Sequence, residues 1–159
     1  MLDIKDILDC KLKIKTDKNI IEITLSELTL DKKVIIFGVP GAFTQTCSAK
    51  HLPSFINNYE KFLDLGIEDI ICISVNDPFV MNAWGKANNV GDNILMLADP
   101  FLNFTRAIGA EVDKSSRGLG HRSNRYTMLI DNLKILNIQA EPDTGTCEVS
   151  AAENFLELI

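Results

Sequence analysis

Residues 34–39, Val-Ile-Ile-Phe-Gly-Val, form an unbroken apolar run rich in β-branched side chains, closed by Pro40-Gly41. A strand written this way has no polar face to turn to water, so it belongs inside a sheet covered on both sides. Residues 70–75 repeat the pattern, and residues 94–97 give a third short strand. Between the first two, Leu52, Phe55, Ile56, Tyr59, Phe62 and Leu63 share one helical face, and Gly66 supplies a stop. Asn76-Asp77-Pro78 reads as a helix start running to about Asn88, and Asp99-Pro100 opens another helix to about Ile108. Residues 126–130 and 133–138 are strands around Asp131-Asn132, a hairpin signal. Residues 10–15 alternate with period two, placing Cys10, Leu12 and Ile14 on one face. Ser150-Ala151-Ala152-Glu153 fits a capping box for a final helix ending near Ile159. Strands alternating with helices, plus a late hairpin, predict an α/β layer fold with a central mixed β-sheet flanked by helices. No repeat or linker divides residues 1–159, so one domain is expected.

The composition excludes several classes. A net charge of −6 and no basic stripe argue against nucleic acid and against anionic membrane surfaces. No apolar run approaches the roughly 20 residues that span a bilayer. Residues 1–15 alternate charged and apolar side chains and lack the apolar core of a secretory signal, so a cytoplasmic location is expected, with organelle import of a longer precursor also compatible. The four cysteines, at 10, 47, 72 and 147, contain no C-x-x-C pair. They are too few for a disulfide scaffold and wrongly spaced for a zinc ribbon. In a reducing compartment, one reactive thiol among bystanders is then a remaining reading.

The segment Pro40-Gly41-Ala42-Phe43-Thr44-Gln45-Thr46-Cys47 joins a buried strand to a helix. Ligand sites gather at such carboxyl ends of strands. Cys47 falls in the helix's first turn, where free N–H groups favour an anion, and a thiolate placed so has a lowered pKa and is the reactive species. Thr44 can point a hydroxyl at the same spot. Pro40 removes a backbone donor and shields the sulfur from water. The bland alternative is that Cys47 is a small buried apolar residue.

Pro40-x-x-x-Thr44-x-x-Cys47 resembles the signature of the peroxiredoxin family. Phe37-Gly38-Val39-Pro40-Gly41-Ala42-Phe43-Thr44, His51-Leu52-Pro53, Ser74-Val75-Asn76-Asp77-Pro78-Phe79-Val80-Met81 with Trp84, and Leu97-Ala98-Asp99-Pro100 are similar to its peroxiredoxin-5, or type II, subgroup. So are Gly118-Leu119-Gly120 and Arg122-Ser123-x-Arg125-Tyr126. The likeness runs from about Val34 to the C-terminus. Gln45 departs from it, since relatives usually carry Pro there, but it lies between the signature positions.

The resemblance implies a thioredoxin-like fold, an antioxidant peroxidase acting on hydrogen peroxide and alkyl hydroperoxides, and neither a metal nor an organic cofactor. It implies that Cys47 attacks a peroxide oxygen and becomes a sulfenic acid. Thr44 and Arg125 match the residues that hydrogen-bond the peroxide; by itself Arg125 would read as a solvated strand-edge arginine. Arg122 is the runner-up, one step off the matching position. His51 reads as an ordinary structural hydrogen-bonding residue ahead of a site-positioning one, and His121 as a loop histidine. Phe79, Met81 and Trp84 suit packing or an interface better than a cofactor box. Two routes to regeneration stay open. Glutathione, with or without glutaredoxin, reduces the sulfenic acid directly, and this is favoured; or Cys147 forms a disulfide that thioredoxin reduces. Cys72 matches a second cysteine of plant relatives but points into the sheet. A homodimer is implied, with Asp77-Pro78-Phe79 and the loop before Cys47 as contact segments. The rival readings are a thiol redox sensor that relays oxidation to a protein partner and a chaperone without catalysis.

Overall fold

A computed structural model describes residues 4–159; the first three residues of the N-terminal reading lie outside the described residues. The chain opens with helix α1 (Ile4–Leu8), strands β1 (Lys11–Lys15) and β2 (Ile20–Thr24), and helix α2 (Leu25–Thr29). The doubly apolar run forms β3 (Lys33–Val39). A π-helical turn (Cys47–His51) leads into helices α3 (Leu52–Asn57) and α4 (Tyr59–Asp64). Then follow β4 (Asp69–Ser74), α5 (Pro78–Ala87), β5 (Ile94–Ala98) and α6 (Asn103–Ala107). Short strands β6 (Glu111–Asp113) and β7 (His121–Ser123) make a separate ribbon around a 3-10 turn. Strands β8 (Tyr126–Asp131) and β9 (Lys134–Ala140) form the hairpin, and α7 (Ala152–Leu156) ends the series.

The seven-stranded sheet has the order β2-β1-β5-β4-β3-β8-β9. Strands β3, β4 and β5 run parallel at its centre, and β8 and β1 flank them antiparallel. Successive residues of β3 feed opposite layers. Ile35, Phe37 and Val39 join one apolar cluster with Phe55, Trp84 and Phe155, while Val34 and Ile36 join the other with Leu12, Phe104 and Met128. This double burial is why the run carries no polar residue. Gly38 pairs with Tyr126, whose ring lies where a glycine Cβ would be, so no larger residue fits there.

Several expected boundaries differ, each for a local reason. The helix expected over 52–63 breaks at Asn58, whose side-chain amide donates to the Ser54 carbonyl (2.8 Å) and to Glu153 (3.0 Å). Ahead of α3 the Leu52 amide reaches back to the Cys47 carbonyl, one residue further than in an α-helix. Pro53 has no N–H and its ring crowds the preceding turn, which the wider π turn relieves. The helix expected from Asp99-Pro100 begins only at Asn103. Asp99 instead reaches forward, accepting from the Phe104 and Thr105 amides (3.3 and 2.8 Å) and the Thr105 hydroxyl (2.7 Å). The expected capping box does not form. Ala151 is the N-cap without a side-chain bond, the Ser150 hydroxyl donates to Glu141, and α7 stops at Leu156.

Candidate active site

The loop from Pro40 to Thr46 leaves the end of β3 as a tight turn. The Thr44 amide and hydroxyl both donate to the Gly41 carbonyl (3.3 and 2.7 Å), and Phe43 takes a left-handed φ of 64°. Asn76, at the end of neighbouring β4, ties the loop down. Its Oδ1 accepts from the Ala42 amide (3.0 Å) and the Ser74 hydroxyl (2.7 Å). Asn76 had been assigned only to a helix start; Asp77 performs that role, accepting from the Val80 amide (2.9 Å).

Cys47 sits at the start of the π turn with 0% exposure. Arg125, 1% exposed, spans the site. Its Nη2 donates to Cys47 Sγ (3.3 Å) and to the Thr144 carbonyl (3.0 Å), and its Nη1 to His51 Nδ1 (3.2 Å). A guanidinium has no lone pair to offer, so Nδ1 is the acceptor and the His51 proton rests on Nε2. Nε2 then donates to the Ser150 carbonyl (3.1 Å), which also receives the Thr127 hydroxyl (2.6 Å). Burial, and next the Arg125 charge, hold His51 well below the ordinary histidine range, so it is neutral. The preferred structural reading of His51 therefore covers only one ring nitrogen; the other positions the arginine. Cys47 and His51 are the first and last residues of the π turn.

Arg122, the runner-up for the arginine role, belongs to β7. It bonds the Leu119 carbonyl (2.9 Å) and the Pro40 carbonyl (3.3 Å), not the sulfur. His121 is on the same strand and bonds Glu111 (2.9 Å), away from the site. Trp84 packs in the core beside Met81 and donates from Nε1 to the Ser48 hydroxyl (3.0 Å), whereas Phe79 is 59% exposed. Cys72 is fully buried in the layer that holds Cys47, and burial pushes its thiol well up. Cys147 is half-buried, with its thiol also raised by burial. A cleft of about 90 Å³ lies beside this assembly, lined by Pro40, Thr44, Arg125 and Thr144 and also by Lys114 and Arg117. Two parts of the site left no sequence signal: the Thr144 carbonyl, which is backbone, and Glu141, a lone carboxylate in a polar stretch. The arrangement puts a buried sulfur within hydrogen-bond reach of a permanent cation that lines a small cleft together with Thr44, which suits nucleophilic displacement on a small electrophile.

The redoxin family profile matches residues 5–156. Peroxiredoxin-2C of Oryza sativa is 44% identical over 138 residues, covering 87% of this chain and 85% of the relative. The chain belongs to the type II peroxiredoxins. The structure of reduced Prx3 from Vibrio vulnificus in complex with hydrogen peroxide superposes on this peroxiredoxin with a TM-score of 0.89 and 42% identity, covering 94% of this chain and 93% of the other. Peroxiredoxin 5 from Alvinella pompejana matches with a TM-score of 0.82 and 37% identity, over 95% and 92% of the two chains. The fold is thioredoxin-like, and the peroxiredoxin is an enzyme of the thiol peroxidase class. Among the described residues no helix is long and apolar enough to cross a membrane.

Proposed function

We propose that Cys47 is the peroxidatic nucleophile of a single-domain hydroperoxide reductase. The Cys47 thiolate attacks the outer peroxide oxygen, the O–O bond breaks, and the leaving oxygen departs as water or an alcohol after taking a proton. Sulfur is oxidised by two electrons to the sulfenic acid. The observation that carries this reading is the Arg125 guanidinium, which lies 3.3 Å from Sγ and lines the cleft together with Thr44 and Pro40. Its fixed donors meet charge that develops on oxygen as the bond lengthens. The Thr44 hydroxyl already donates to Gly41, so its lone pairs accept the O–H of the substrate. Cys47→Ser is expected to abolish peroxide consumption; turnover at the wild-type rate in that variant refutes the assignment.

Glutathione, alone or with glutaredoxin, is the favoured reductant over thioredoxin acting on a Cys47–Cys147 disulfide. Cys72 is sealed in the core and Cys147 is held in a hydrogen-bonded loop, so neither thiol is poised to resolve. Lys114 and Arg117, which line the cleft of a chain with net charge −6, suit the carboxylates of glutathione. Mass spectrometry after one equivalent of peroxide is expected to find no Cys47–Cys147 disulfide. Steady turnover with glutathione and glutaredoxin separates the enzyme from a one-shot relay. All four cysteines are unpaired, which fits the reducing cytoplasm. A homodimer is supported by Phe43, Phe79 and Phe101, exposed by 57%, 59% and 69%, each just beyond the end of one of three adjacent parallel strands.

A further inference from the structure

Glu141 follows β9 and is 3% exposed, yet among the described residues no cation pairs with its carboxylate. Four donors satisfy it instead. Oε2 accepts from the Glu148 amide (3.0 Å), the Ser150 amide (2.7 Å) and the Ser150 hydroxyl (2.6 Å), and Oε1 shares the Thr146 hydroxyl (3.3 Å) with the Asp143 carbonyl (2.9 Å). Burying a carboxylate is costly unless such bonds are complete, so this set is a built arrangement. Every donor comes from one loop, and that loop's Thr144 carbonyl receives Arg125 Nη2 while its Ser150 carbonyl receives His51 Nε2. The Glu141 amide closes the circuit by donating to the Arg125 carbonyl (2.9 Å).

We infer that Glu141 is a positioning residue for the peroxidase reaction: its carboxylate fastens the 143–150 loop so that Thr144 and His51 hold the Arg125 guanidinium against Cys47. The inference rests on the peroxidase reading of the site. It also places a clasp on both sides of Cys147, through residues 146 and 148.

The test measures the rate of Cys47 oxidation by hydrogen peroxide and the pH profile of Cys47 alkylation by iodoacetamide. The proteins are wild type, Glu141→Gln, Glu141→Asp, and Glu141→Gln combined with Arg125→Ala. Glu141→Gln is expected to slow oxidation about tenfold, as a displaced guanidinium would. The alkylation profile should move to higher pH, because a retreating cation favours the thiolate less. Glu141→Asp recovers part of both. In the Arg125→Ala background Glu141→Gln adds nothing, since its effect passes through that arginine. Wild-type oxidation in Glu141→Gln overturns the inference. So does an alkylation profile moved to lower pH, the direction expected from deleting a negative charge alone, or an equal slowing with and without Arg125. If Glu141→Gln does not fold, Ser150→Ala removes the shortest bond while keeping the carboxylate. About threefold slowing is then expected, and no slowing overturns the inference. A wild-type protein inert to peroxide would sink the peroxidase reading instead, and the alkylation profile would still decide the part played by Glu141.

Discussion

Arg125 makes three hydrogen bonds to three different partners and leaves its Nε buried without one. Only a planar fork with a permanent charge can serve a sulfur, a carbonyl and an imidazole at once. Arg125→Lys keeps the charge but cannot span those partners. It is expected to lower the rate of Cys47 oxidation about a hundredfold, the scale of losing a transition-state donor, as stopped-flow measurement with hydrogen peroxide would show. The partners explain what each neighbour does. His51 offers a lone pair only because burial keeps it neutral, and its proton is spent on Ser150. A protonated His51 would face the guanidinium as a second cation.

At the scale of elements, the close approach of β8 to β3 at Gly38 is a packing constraint beside the site. Gly38→Ala drives a methyl group into the Tyr126 ring and is expected to cost about 1–3 kcal/mol in urea denaturation, as overpacking does. Asp99→Ala strips three donors at the start of α6 of their acceptor and is expected to cost about 2 kcal/mol by the same measurement. The elements that were legible in advance are those whose pattern is local. The apolar runs of β3, β4 and β5, the Asp77-Pro78 start of α5 and the β8–β9 hairpin carry their own signal. Asp99 misled because its carboxylate caps amides five and six residues ahead, beyond a left-handed Leu102. Ser150 misled because a carboxylate nine residues earlier in the chain takes its hydroxyl. The π turn was illegible because Pro53 acts on the residues before it. At the site, Cys47 and Thr44 are marked by their place between strand and helix, whereas Arg125 acquires meaning only when β8 brings it beside the sulfur. Glu141 carries no local mark at all.

At the scale of the whole molecule, the buried His51 ties stability to pH. Its folded pKa lies well below the ordinary histidine value of 6.5, so the unfolded chain takes up a proton that the folded chain refuses. Stability from this residue is therefore complete above about pH 6.5 and falls as the pH drops below it. Glu141 acts in the same direction at lower pH. Burial raises its carboxyl, but the bonds from Ser150, Glu148 and Thr146 outweigh that and leave it below the ordinary glutamate value of 4.5. The urea midpoint is expected to be lower at pH 5.5 than at pH 7.5, conditions chosen about one unit either side of the histidine range. The difference should shrink in His51→Gln. The exposed aromatics beyond β3, β4 and β5 predict a dimer in sedimentation, converted to monomer by Phe79→Glu. Finally, the chain has one tryptophan, and its indole is bonded to Ser48, the residue after Cys47. Emission from Trp84 therefore comes from a single chromophore within reach of the site's electronic changes. The enzyme carries its own optical reporter, and its oxidation and reduction can be followed in real time without a label.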